Sequence, residues 1–75
     1  MYAIVTKYVG PTDTKGSRII AACDGKRRIM AYQSALDLPE NHRRAAMDLA
    51  EQMNLLGTWI TGELPKGQYV FVRQS

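Results

Sequence analysis

Five stretches of the chain are rich in β-branched and aromatic residues, and turn residues separate them. This composition is typical of β-strands. Asp24-Gly25 lies between the second and third stretches and predicts a two-residue hairpin with a type I′ turn. Pro65-Lys66-Gly67 lies between the last two and predicts a type I turn with a G1 bulge. The predicted strands cover residues 2–9, 18–23, 26–32, 58–64 and 68–73.

Apolar residues recur at spacings of three and four between residues 37 and 54, which predicts an amphipathic helix. Asp37 followed by Glu40 predicts a capping box with Asp37 as the N-cap, and Pro39 is compatible with the first turn. The apolar stripe consists of His42, Ala46, Leu49, Ala50 and Met53.

The opposite side of this helix carries Arg43 and Arg44 next to acidic residues. Glu40 precedes them by three and four positions, and Arg44 precedes Asp48 by four. Pairs at this spacing stabilise a helix by about 0.2–0.5 kcal/mol each. We therefore expect the helix to neutralise its own arginines and to present a solvated face, unlike a helix that reads DNA.

The element order predicts an α+β fold: a two-layer domain in which an antiparallel sheet of about five strands (β-β-β-α-β-β) has one helix packed across it. A chain of 75 residues has room for one core, so we expect a single domain over 1–75. The apolar content of 45% and the charged content of 23% are those of an ordinary globular domain.

The longest apolar runs fall well short of a membrane span, and the start lacks the basic region of a signal peptide. One cysteine excludes an internal disulfide, and we expect a cytoplasmic protein.

The charge is unevenly distributed along the chain. Residues 1–33 contain six Lys and Arg against two Asp, whereas residues 34–75 contain four Lys and Arg against five acidic residues. A basic half indicates either an anionic partner or a solvated face that aids solubility. The candidate nucleic-acid-binding residues are Lys15, Arg18, Lys26, Arg27 and Arg28. The predicted hairpin places Arg27 and Arg28 on opposite faces of the ribbon, which weakens the nucleic-acid hypothesis.

The chemistry-bearing residues do not form a catalytic motif. The loop at 10–17 has its Lys and Gly in the wrong order for a P-loop, and a strand follows it where a helix is needed. His42 is the only histidine, and Cys23 has no histidine neighbour, so we expect structural roles for both. We therefore expect no enzyme activity, no catalytic residue, no metal site and no cofactor.

Three stretches carry a resemblance to known proteins. They are residues 8–19 (YVGPTDTKGSRI), 41–46 (NHRRAA) and 62–72 (GELPKGQYVFV). Together they resemble a group of short uncharacterised proteins carried by bacteriophages, prophages and conjugative plasmids. The resemblance implies an accessory protein of a mobile element that acts inside a bacterial cell; no site residue carries over from it.

Two functional hypotheses follow. The first is a non-enzymatic binding protein that docks on a host or phage protein, as an inhibitor or modulator. This hypothesis predicts that the outer face of the sheet exposes Tyr, Trp or Met side chains. Its candidate interaction residues are Tyr8, Tyr32, Trp59 and Tyr69. The alternative is a nucleic-acid-binding accessory module that uses the basic loop and first hairpin. The two sheet edges also allow a homodimer.

Overall fold

The computed structural model describes residues 2–55 and 57–74. Five strands and one α-helix make up the fold, and a short 3₁₀ turn at Pro65–Gly67 joins the last two strands. The elements are β1 (Ala3–Val9), β2 (Arg18–Cys23), β3 (Lys26–Ala31), α1 (Leu38–Gln52), β4 (Trp59–Leu64) and β5 (Gln68–Arg73). The predicted α+β class, with one helix packed across an antiparallel sheet of five strands, is confirmed.

The strands form one antiparallel sheet in the order β3-β2-β1-β5-β4. The first strand therefore lies in the centre of the sheet, and β3 and β4 form its edges. Helix α1 contacts β1, β2, β3 and β5 on one side of the sheet. In the part of the chain that the structure describes, no helix covers the other side.

Helix α1 begins where the sequence predicts. The carboxylate of Asp37 accepts a hydrogen bond from the backbone N–H of Glu40 at 2.9 Å, as expected for an N-cap. Asn41 is also buried, and its side chain bonds the backbone of the 33–37 segment. It donates to the carbonyls of Gln33, Leu36 and Asp37 and accepts from the N–H of Gln33. This side chain ties the segment after β3 to the start of the helix.

Both predicted hairpins are present, but only the first has the predicted type of turn. At Asp24-Gly25 both residues have positive φ (50° and 78°), as a type I′ turn requires, and Cys23 pairs with Lys26 in the predicted register. At the second hairpin Leu64 pairs with Gln68, but Lys66 has φ 66° and ψ 29°. A type I turn would have φ near −90° at this position, so the predicted turn type is wrong although the hairpin is present.

The core lies between α1 and the sheet. It is built from large side chains of the strands and small side chains of the helix, so the helix approaches the sheet closely. Phe71, Ile4 and Ile19 are the largest apolar side chains in it, and Ala45, Ala46 and Ala50 face them from the helix.

Candidate functional surfaces

Alternate residues of each strand point to opposite sides of the sheet, so the strand register assigns every side chain to a face. Ile4 of β1 lies opposite Phe71 of β5, and Ile19 of β2 lies opposite Met30 of β3. We call the side with these residues the covered face, because α1 packs on it.

The other side carries mainly aliphatic side chains, together with Lys7, Arg18, Arg27 and Gln68, and we call it the aliphatic face. Val5 is central, flanked by Ala22 of β2 and Val70 of β5. Ile60 and Ile29, on the two edge strands, are 54% and 51% exposed, and Val5 is 36% exposed. The apolar members of this face are Ala3, Val5, Val9, Ile20, Ala22, Ile29, Ala31, Ile60, Leu64, Val70 and Val72. Exposed apolar side chains that are grouped on one side of a sheet mark an interaction site.

The five candidate nucleic-acid-binding residues do not form one patch. Lys15 lies in the loop before β2, and Arg18, at the start of β2, bonds the Gly16 carbonyl through its guanidinium at 3.4 Å. Lys26 and Arg27 lie at the opposite end of the same hairpin, next to the Asp24-Gly25 turn. The two groups are separated by the length of β2, about 17 Å.

Arg28 points to the covered face and forms an ion pair with Asp48 of α1. Arg27 lies opposite Ala22 on the aliphatic face, so the prediction that Arg27 and Arg28 point to opposite sides is confirmed. The expected pairing of Arg44 with Asp48 is wrong: the carboxylate of Asp48 bonds Arg28, because the sheet packs against the helix at this point.

The expected exposure of aromatic residues on the outer sheet face is wrong. Tyr8 pairs with Ile19, Tyr69 with Glu63, and Trp59 with Arg73, which places all three on the covered face. Tyr69 is buried, and Trp59 is half-buried against the core. The rings of Tyr69 and Phe71 are buried beneath the helix, whose buried residues include Ala45, Ala46 and Ala50.

Tyr8 and Tyr32 are the two candidate interaction residues that the structure brings together. Their rings meet edge to face with centroids 5.6 Å apart, and the hydroxyl of Tyr8 donates to Ser17 at 3.0 Å. They line a cleft of about 390 Å³ together with Leu38 and the Lys66-Gly67 turn. This cleft lies at one end of the covered face and is separate from the aliphatic face.

His42 is completely buried in the core, where Nδ1 lies 2.6 Å from Oγ1 of Thr6. Thr6 in turn donates to the carbonyl of Tyr69 at 3.5 Å. We assign Nδ1–H as the donor to Thr6, because the chain of hydrogen bonds then runs on to Tyr69. Nε2, which has no hydrogen-bond partner among the described residues, is then an acceptor, and a buried acceptor without a partner is less costly than an unpaired N–H.

Burial lowers the pKa of His42, so the ring is neutral at pH 7. It packs on Tyr69 with centroids 4.4 Å apart. Its environment suits a structural residue in the core, since a general base needs access to a substrate.

Cys23 is also a core residue. Burial, followed by the neighbouring Asp24, raises the pKa of its thiol, which disfavours the reactive thiolate. Within residues 2–55 and 57–74, no group of three or more His, Cys, Asp or Glu side chains could hold a metal ion. The same residues contain no helix that is long and apolar enough to cross a bilayer.

The sequence carries a signal for the aliphatic face in its last strand. In the stretch 68–73 both alternating sets are apolar, Tyr69 and Phe71 in one and Val70 and Val72 in the other. A strand that is apolar on both sides is typical of a sheet covered on both sides. Here one helix covers one side, and the second apolar set is left exposed.

The chain was compared with protein-family models, with curated proteins and with solved structures, and none of the three comparisons found a match.

Proposed function

We propose that this protein is a non-enzymatic binding module that docks on an acidic protein through its aliphatic face. The observation that carries the proposal is the uncovered sheet side itself, with Ile29, Val5 and Ile60 spread from one edge strand to the other. Five strands about 4.8 Å apart and about 20 Å long give a projected area of about 500 Å². Covering this area on both partners reaches about 1,000 Å², the lower bound of a specific protein interface.

The charges on this face favour an acidic occupant. Lys7, Arg18 and Arg27 belong to the same register set as the aliphatic residues. The acidic residue of the described strands, Glu63, lies on the covered face opposite Tyr69. A second copy of the chain would bring cations against cations, whereas an acidic surface would be complementary.

Nucleic acid is less well supported as the partner. Proteins that bind single strands on a sheet stack bases on aromatic side chains, and the aromatic residues of the described strands lie on the covered face. The cations are divided between two ends of the hairpin, and Arg28 is paired with Asp48. The resemblance to proteins of mobile elements makes a protein of the bacterial host or of the phage the expected partner, with inhibition or modulation as the expected outcome and the cytoplasm as the place.

The test compares two neighbouring residues of β4 that point to opposite sides. Ile60 lies on the aliphatic face and Thr61 on the other, and both are exposed. Tagged wild-type protein, Ile60→Glu and Thr61→Glu are incubated with nuclease-treated bacterial lysate, and captured proteins are identified by mass spectrometry. We expect an acidic protein that is captured by the wild type and by Thr61→Glu and is lost with Ile60→Glu. Capture that is equal for the two variants contradicts the proposal.

The nucleic-acid alternative is tested by an electrophoretic shift with duplex and single-stranded DNA and RNA. If four cations contacted duplex phosphates, the logarithm of the binding constant would fall against the logarithm of the salt concentration with a slope of about −3.6. We expect no shift at about 50 mM salt. A shift with that slope, lost on replacing both Arg27 and Arg28 with Glu, would establish the alternative.

A further inference from the structure

Two cations of the aliphatic face, Arg18 and Arg27, stand at opposite ends of its β2–β3 part. The row between them is formed by Ile20 and Ile29, and Lys7 of β1 lies beside Ile20. Arg18 lies opposite Val9, at the end of β1. Lys7 lies opposite Ile20, so it is a diagonal neighbour of Arg18 and can reach the same carboxylate. Arg27 lies opposite Ala22, at the other end. Ala22 follows Arg18 by four positions along β2, so the rows of Arg18 and Arg27 are about 13 Å apart.

A shallow hollow adjoins the Arg27 end. Its volume is about 420 Å³, and its apolar floor is formed by Ala3, Val5 and Ala22. The two alanines pair with Val72 and Arg27, so small side chains stand beside larger ones and leave room for one apolar side chain of a partner.

The rim of this hollow is charged. Lys26 and Arg27 line it together with Asp24 of the turn, so the positive charge there exceeds the negative. A carboxylate that enters beside the hollow meets the guanidinium of Arg27, which offers a planar set of donors suited to carboxylates.

We propose that the aliphatic face binds a segment of an acidic protein in which aliphatic side chains are flanked at both ends by carboxylates. One carboxylate pairs with Arg27, and the other, about 13 Å away, pairs with Lys7 and Arg18. One apolar side chain of the segment occupies the hollow. This inference rests on the docking function proposed above and states what the partner must present.

The test uses selection from a random peptide library displayed on phage, with the purified protein as bait. We expect the enriched peptides to contain Asp or Glu on both sides of a run with Leu, Ile or Val. The affinity of a selected peptide should fall about fivefold in Arg27→Glu and in Lys7→Glu, as for the loss of exposed ion pairs. It should also weaken as sodium chloride is raised.

Arg43→Glu is the matched control, because it makes the same charge change at an exposed position of α1, away from the sheet. We expect its affinity to equal that of the wild type. Each variant is first checked for an unchanged urea midpoint, so that an unfolded protein is not taken for a binding defect.

The other outcomes separate this inference from the docking proposal. One outcome is that selected peptides bind Arg27→Glu and Lys7→Glu as tightly as the wild type but fail to bind Ile60→Glu. That result would overturn the requirement for flanking carboxylates and leave the docking function intact. Failure to enrich any peptide, or binding that Ile60→Glu leaves unchanged, would overturn both. Self-association in sedimentation that Ile60→Glu abolishes would show that a second copy covers the face, which also overturns the inference.

Discussion

The two faces of the sheet are built from the same five strands and are both largely apolar. They differ in the kind of side chain they carry and in how their polar and charged groups are paired. The covered face holds the rings of Tyr69 and Phe71, the bonded pair of His42 and Thr6, and the ion pair of Arg28 with Asp48. The aliphatic face has aliphatic side chains in place of rings, and it carries the cations Lys7, Arg18 and Arg27. The difference shows that alternation alone does not tell which side is the core: the side that fits the small residues of the helix is covered, and the other remains available to a partner.

The largest expected effect comes from truncating a core ring. Phe71→Ala should lower the free energy of unfolding by about 3–5 kcal/mol, because it leaves a cavity among packed side chains. Val70→Ala, the next residue on the opposite face, should cost about 1 kcal/mol. Urea-induced unfolding followed by circular dichroism measures both.

A domain of this size has a total stability of about 4–11 kcal/mol, so Phe71→Ala could unfold the protein. Phe71→Leu then provides the comparison, with a smaller loss in the same direction. Equal losses for the Val70 and Phe71 variants would contradict the assignment of faces.

The next effect concerns the buried polar contacts on the covered side. Asn41→Ala should lower the free energy of unfolding by about 2 kcal/mol, because it leaves buried backbone groups of the 33–37 segment without partners. Gln52→Ala, at the exposed end of the same helix, should change stability little. Urea unfolding of the two variants checks this, and a neutral Asn41→Ala would show that solvent replaces these hydrogen bonds.

The third effect is a dependence of stability on pH. Burial lowers the pKa of His42 below its ordinary value of 6.5, so the unfolded chain binds a proton more readily than the folded one. The contribution of His42 is therefore fully present above pH 6.5 and is lost as pH falls through the range below it.

Urea midpoints measured across this range should fall with pH in the wild type and fall less in His42→Phe, which cannot take up the proton. Thr6→Val, which removes the hydroxyl but keeps the imidazole, should retain the pH dependence. A His42→Phe profile parallel to that of the wild type would contradict a neutral, buried imidazole.

The smallest effect separates the two adjacent arginines. Arg28→Ala should cost less than about 1 kcal/mol, because its ion pair with Asp48 is partly exposed, and the loss should shrink in high salt. Arg27→Ala should leave stability unchanged. Urea unfolding at low and high salt tests both, and equal effects would show that the two residues do not differ in their surroundings.

Local features were predictable from the sequence, and contacts between distant segments were not. The Asp24-Gly25 turn determines the register of β2 with β3, and Asp37 marks the start of α1, because each acts through its neighbours in the chain. The pairing of Asp48 with Arg28 in place of Arg44 depends on how the helix lies on the sheet, and the helix pattern does not contain that information.

The candidate site was only partly predictable for the same reason. An apolar surface was expected, but on aromatic residues such as Tyr8 and Trp59. Which of two apolar sets faces the helix depends on packing volumes and on the central position of β1. Neither quantity can be obtained from the periodicity of a single strand.

The central position of β1 has a consequence for how the chain acquires its structure. Ala3 pairs with Val72, so the middle of the sheet joins segments that are almost the whole chain apart. During synthesis β1, β2 and β3 can assemble early, but the edge of β1 that pairs with β5 stays without hydrogen-bond partners until β5 has left the ribosome. Contacts of such long sequence separation slow folding and leave an exposed strand border that can aggregate, so nascent chains of this protein should depend on chaperones more than the small size of the domain suggests.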